Sequence, residues 1–216
     1  MNATQPSPPP STSAARTIEV FADITCPFTH VGLRRFIAQR QARGQSRHRL
    51  LVSSWPLELV NGEPLDGTAL IPKVEALRRS VAPDLFEGFD PDRFPTTSLP
   101  ALGLVAAAYG RDLDAGERLS LAVRTALFEE GADIADPDVL ASIARGCDLF
   151  GLEADDQRVI DDWHRGEALD VIGSPHFFVS GQDFFCPALE ITHGDDGLSI
   201  AFDAVGLDRF LDAALT

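Results

Sequence analysis

The chain has 216 residues, 44% of them hydrophobic and 24% charged, with a formal net charge of −15. That length suffices to bury a core, the composition is that of an ordinary globular chain, and so acidic a surface repels phosphate backbones, which excludes nucleic acid as a partner. Cysteines at 26, 147 and 186 are odd in number and widely spaced, which excludes a disulfide framework and a zinc site, and no apolar run approaches the roughly 20 residues that span a bilayer.

Residues 1–16, MNATQPSPPPSTSAAR, lack the basic start and apolar centre of a secretory signal, so a cytoplasmic protein is expected. Their Pro, Ser and Thr content predicts a disordered tail. TIEVFAD, 17–23, reads as a strand. Cys26-Pro27 then opens a helix that ends near Gly44, because proline suits the first helical position. LLVSSW, 50–55, reads as a second strand closed by Pro56. Together these form a β-α-β unit with parallel strands. From about Gly67 helices follow one another: 71–81, 98–109, 115–129, 136–150 and 155–169. Asp136-Pro137-Asp138 puts a cap and acid at one helix start. Strand character returns at His176–Val179, with a turn at 180–183 and a return strand from Phe184. Segments 189–193 and 198–203 flank the hairpin signal Gly194–Gly197, and a helix over 208–215 closes the chain. The expected organisation is α/β, with 17–66 and 170–216 forming one domain and 67–169 a helical insert.

A cysteine between a strand and the first turn of a helix is placed for chemistry. Backbone N–H groups and the helix dipole favour the thiolate there, provided the position is partly exposed. Thr29 lies one turn on, on the same face, where its hydroxyl could donate to the Cys26 sulfur. A lone cysteine is more commonly a small buried hydrophobe, and that reading stands beside the first.

EVFADITCPFTHVGLRRF resembles the first strand and active-site helix of the DsbA-like thioredoxin-fold family, in particular its FrnE-type and 2-hydroxychromene-2-carboxylate isomerase-like members. WPLEL (55–59), ALFEEGADIADPDVLASIA (126–144) and GSPHFFV (173–179) resemble further family segments in the same order. The resemblance implies a thioredoxin-like fold with an inserted helical domain. It implies that Cys26 is the nucleophile, with Pro27 and Phe28 beside it, and that Thr29 replaces the second, resolving cysteine. It implies that Pro175 is cis opposite the sulfur, with the backbone N–H and C=O of Ser174 free to pair with an extended substrate. His30 and His176 flank the two loops as candidate thiolate stabilisers or proton carriers. Glutathione-using relatives, including the kappa-class transferases, bind the glutathione sulfur with a hydroxyl where this chain has Cys26. In them the segment corresponding to Cys186 approaches the cofactor, so Cys186 is a candidate second thiol, against a buried structural role.

Cys147 and His164 read as packing or surface, Phe28, Trp55, Phe177 and Phe178 as core or cleft wall, and Asp133, Asp136 and Asp138 as capping rather than calcium ligands. Three functions stay open. The first is a thiol-dependent oxidoreductase whose single cysteine forms a mixed disulfide resolved by a second thiol. The second is a glutathione- or other thiol-dependent isomerase or transferase acting on an aromatic small molecule. The third is a catalytically silent binding protein. No metal or tightly bound cofactor is expected. The partner is a small-molecule thiol or disulfide, glutathione or another low-molecular-weight thiol, and relatives suggest a homodimer.

Overall fold

The computed structural model describes residues 15–194 and 197–216, so all but the last two residues of the expected N-terminal tail lie outside it. Strand β1 (Thr17–Ala22) runs parallel to β2 (Arg49–Ser54), in register from Thr17 opposite Arg49 to Ala22 opposite Ser54, and α1 (Pro27–Ala42) connects them. A short helix, α2 (Leu57–Asn61), follows Pro56 and ends at Gly62, whose φ of 77° is the left-handed conformation glycine adopts freely.

Five helices then intervene before the sheet resumes: α3 (Gly67–Ser80), α4 (Leu99–Arg111), α5 (Leu113–Glu130), α6 (Pro137–Gly146) and α7 (Asp156–Ala168). Helix α3 starts four residues before the expected Ile71, because the Asp66 carboxylate caps the N–H of Thr68. Asp112, Asp136 and Asp155 start α5, α6 and α7 in the same way. Helix α6 stops at Gly146, short of the expected Phe150, and Asp148 turns the chain with a positive φ of 59°.

The sheet continues with β3 (His176–Val179), antiparallel to β1, and β4 (Gln182–Phe185), antiparallel to β3, giving the order β2-β1-β3-β4. The turn is shorter than expected: Ser180 and Gly181, both at positive φ, make a two-residue hairpin whose twist suits the strands. A separate hairpin of β5 (Leu189–Gly194) and β6 (Gly197–Phe202) precedes α8 (Ala204–Leu215), and the residues 195–196 at its tip lie outside the described residues.

Period-two alternation divides the sheet faces. On one face Phe177 meets Phe36 of α1 and Phe210 of α8, its ring centroid 4.5 Å from that of Phe210. On the other, Phe21, Phe178 and Trp55 pack beneath α7 at Gly166, where a β-carbon would come within 2.5 Å of the Trp55 ring. Helices α4, α5 and α7 pack on β2, and one buried cluster runs through both the sheet and the helical segment. The β2 edge is closed by a charged pair. Glu117 of α5 accepts two hydrogen bonds from Arg40 of α1, at 2.8 and 2.5 Å, and one from the Leu50 N–H. Among the described residues no helix is long and apolar enough to cross a membrane.

Candidate active site

The site begins where β1 stops. The buried carboxylate of Asp23 accepts four hydrogen bonds, from the N–H and hydroxyl of Thr25 (2.8 and 2.7 Å), the N–H of Leu57 (2.6 Å) and the hydroxyl of Ser98 (3.1 Å). That turn ends the strand and ties it to the starts of α2 and α4. Three residues on, Cys26 is the N-cap of α1, with extended backbone angles, and Pro27 occupies the first helical position. The sulfur therefore sits at the positive end of a 16-residue helix.

Across from it lies the loop before β3. The Ser174–Pro175 peptide bond is cis, and the proline ring rests on α1 at Gly32. Ser174 joins the two loops. Its hydroxyl oxygen accepts the N–H of Asp23 at 2.9 Å and pairs with the Thr29 hydroxyl at 2.7 Å, and its carbonyl oxygen accepts the Cys26 thiol at 3.0 Å. Cys26, Thr29, Ser174 and Pro175 thus form one cluster. Pro27 is buried beside it and Phe28 is half-buried against the core.

Four details differ from the sequence reading. Cys26 is only 3% exposed, not partly open. Thr29 does not donate to the sulfur; its hydroxyl is spent on Ser174, which lies closer along the loop. The Ser174 carbonyl is not wholly free, because the thiol occupies one of its two acceptor positions. His176 faces the side of the sheet opposite α1, as strand alternation from Phe177 requires. There its ring packs on Phe178 and Phe185, its Nε2 meets Asp183 at 3.0 Å, and its Nδ1 accepts the Ile172 N–H. That environment fixes the β3–β4 ladder and places His176 outside the thiol cluster.

His30 points into α5, away from the sulfur, where Nε2 meets Glu129 at 2.5 Å between the rings of Phe86 and Phe128. Burial holds the imidazole below its ordinary value of 6.5; the bond to Glu129 pulls the other way and Arg34 adds to the lowering. Burial is the largest influence on Glu129 and would raise it, but the bond and charge of His30, the Glu87 N–H and Arg34 together leave the carboxyl below its usual value. The two shifts agree on one state, a neutral imidazole donating Nε2–H to a carboxylate.

Cys186 lies on the far side of the proline. Its N–H donates to the Pro175 carbonyl at 3.0 Å, its φ is 44°, and it is 5% exposed. Burial pushes its thiol well above the ordinary range, and the neighbouring Cys26 adds to the push. Cys147 is also buried and raised, by burial first and Asp148 in part. All three cysteines are free. Among the described residues no group of His, Cys, Asp and Glu could hold a metal ion.

Two residues escaped the sequence reading. Asp23 looked like the end of a strand, yet it organises the turn. Arg124 of α5 is fully buried and donates Nη1–H to the Asp23 carbonyl at 2.6 Å. Its signal was legible: it stands four residues after Ser120 and four before Phe128, on the face of α5 that Leu119, Val123 and Leu127 bury.

The model of the DSBA-like thioredoxin domain matches residues 17–198. Among solved structures, a putative protein disulfide isomerase from Nitrosomonas europaea superposes with a TM-score of 0.61 at 16% identity, covering 91% of this chain and 95% of its own. The cytosolic disulfide reductase DsbM from Pseudomonas aeruginosa, with GSH, gives 0.55 at 15% identity, over 77% of this chain and 87% of its own. A 2-hydroxychromene-2-carboxylate isomerase gives 0.55 at 14% identity, over 78% and 88%. No curated protein matches. At these identities the superpositions establish the shared fold, and the match over residues 17–198 establishes the family: the chain belongs to the DSBA-like thioredoxin domain family.

Proposed function

We propose that the protein is a thiol–disulfide oxidoreductase that works through the single sulfur of Cys26. The observation that carries this reading is the placement of Sγ, at the N-terminus of α1 and 3.0 Å from the carbonyl of Ser174, next to a cis proline. A family member with one sulfur at this place can attack a disulfide but cannot release the product through an internal disulfide, since Thr29 stands one turn on.

The steps balance as two exchanges. The Cys26 thiolate attacks a disulfide R–S–S–R′, forming a Cys26–S–S–R bond and releasing R′–S⁻. A second thiolate attacks that mixed disulfide, takes R as a new disulfide and returns Cys26 as thiolate. The second thiol is a low-molecular-weight compound such as glutathione; the similarity to a disulfide reductase whose structure includes GSH supports this choice. That relative is also described as cytosolic, which supports a cytoplasmic setting, where a free thiol pool is at hand.

The hydrogen bond to Ser174 gives the first step a consequence. While protonated, the thiol takes one of the carbonyl's two acceptor positions. On losing its proton, sulfur can no longer donate, and that position becomes available to a backbone N–H of an extended substrate. One deprotonation makes the nucleophile and frees the docking group. Thr29 and the Asp23 N–H hold the Ser174 side chain throughout.

The test is incubation with oxidised glutathione followed by intact mass. The expected result is one glutathione adduct on Cys26, reversed by added thiol and lost in Cys26→Ser. No adduct at Cys26 would refute the reading. A second reading, a thiol-dependent isomerase or transferase, is favoured by the paired hydroxyls of Thr29 and Ser174 beside the sulfur, suited to holding a thiol cofactor. It predicts turnover of an electrophilic aromatic only when thiol is added.

A further inference from the structure

Arg124 is charged, wholly buried and incompletely bonded. Nη1 is held by the Asp23 carbonyl at 2.6 Å, while Nε and Nη2 are buried without a hydrogen-bond partner among the described residues. A guanidinium in that condition is costly to bury. The groups around it are accounted for. The Asp23 carboxylate is taken up by Thr25, Leu57 and Ser98. Tyr109 of α4 spends its hydroxyl on the Leu50 carbonyl, and its phenol is kept neutral, chiefly by burial. His30 is engaged with Glu129, and burial keeps Cys186 a protonated thiol. The Asp23 carboxylate is the first charge to favour the cation, and the Cys26 sulfur is the second.

We propose that Arg124 is a positioning residue for this site, its buried guanidinium braced on the Asp23 carbonyl so that its charge stabilises the Cys26 thiolate. Burial draws Arg124 down to about 10, with Asp23 and then Cys26 opposing, so the group stays protonated near neutrality. With the resting thiol the cation is offset by the Asp23 carboxylate, and formation of the thiolate adds a second negative charge that favours it. The residue thus favours the ionised sulfur without touching the substrate. Being buried, the charge is poorly screened by salt, unlike one carried on the surface.

This proposal rests on Cys26 being the nucleophile, and the experiment separates the two ideas. Iodoacetamide alkylation is followed across pH by peptide mass spectrometry in the native chain, Arg124→Met and Arg124→Lys. With Arg124→Met, alkylation of Cys26 near neutral pH should slow about tenfold and its pH profile should move about one unit alkaline. Arg124→Lys should lie between that variant and the native chain. Coincident profiles for the native chain and Arg124→Met would overturn the role of Arg124 and leave the nucleophile intact. A native Cys26 that alkylates no faster than Cys147 would overturn both. Should Arg124→Met fail to fold, Arg124→Gln, which keeps a donor for the Asp23 carbonyl but carries no charge, makes the same comparison. Alkylation of Cys26 should again be slower than in the native chain, and a profile coincident with the native one would overturn the proposal.

Discussion

Two cysteines flank the same cis proline and their burial does not distinguish them, but their electrical surroundings do. Cys26 caps the positive end of α1, and the carbonyl that bounds its turn is held by the buried guanidinium of Arg124. Cys186 stands at the end of β4 and is pushed well above the ordinary thiol range by burial. The lesson is that a buried sulfur is inert by default, and a helix terminus with a cation is what makes one different. The polar groups follow the same division. The hydroxyls of Thr29 and Ser174 are on the Cys26 side, while on the Cys186 side only the backbone N–H makes a bond to the proline loop.

The substitution that breaks this comparison most strongly is Thr29→Cys. It supplies a second sulfur one turn from Cys26. Oxidation should then give an internal disulfide, and the glutathione adduct seen by intact mass should fall by more than about tenfold. A persistent adduct would show that the two positions are not aligned as α1 places them.

Next in size is Ser174→Ala. It leaves the Asp23 N–H buried and unpaired and removes the partner of Thr29, which should cost about 1–3 kcal/mol in urea unfolding. A smaller loss would mean that the Ser174 hydroxyl does not hold the two loops together.

A third effect depends on pH. His30 is held below 6.5 in the folded chain, so the unfolded chain takes up its proton first as pH falls. Stability is therefore full above about 6.5 and declines below it, by about 1.4 kcal/mol for each unit by which the folded value lies lower. Glu129, also held low, adds a further loss below its ordinary value of 4.5. Denaturant unfolding across pH should show the decline beginning near 6.5, and His30→Gln should reduce that first limb, leaving the part due to His48, which burial also holds below 6.5. An unchanged limb in His30→Gln would contradict the neutral assignment.

The smallest change is expected from Cys186→Ala. The rate at which Cys26 forms its mixed disulfide should stay within about twofold, and stability should fall by only about 1 kcal/mol, the loss of one small buried group. A mixed disulfide that becomes long-lived in Cys186→Ala would make Cys186 the resolving thiol after all.

The frame of the site was legible because it rests on local chemistry. Cys26-Pro27 between a strand and a helix can be read from residue types alone, as can the Asp136 cap, and the resemblance in GSPHFFV pointed to the proline loop. What was not legible depends on neighbours distant in sequence. The Thr29 hydroxyl had two candidates within reach, the sulfur and a loop 145 residues away, and the sequence shows only the first. That Arg124 lies on the buried face of α5 follows from its spacing; that it bonds the turn of β1, 101 residues away, does not. His176 is a case where local information was sufficient and went unused, since alternation along β3 already sets it opposite Phe177.

The central claim is that Cys26 differs in kind from the other two cysteines of the same folded chain. The most direct measurement is a time course with oxidised glutathione at neutral pH, with each cysteine followed in its own tryptic peptide. Cys26 should react first, ahead of Cys147 and Cys186 by at least about a hundredfold. Comparable rates at all three, or a first reaction at Cys186, would contradict it.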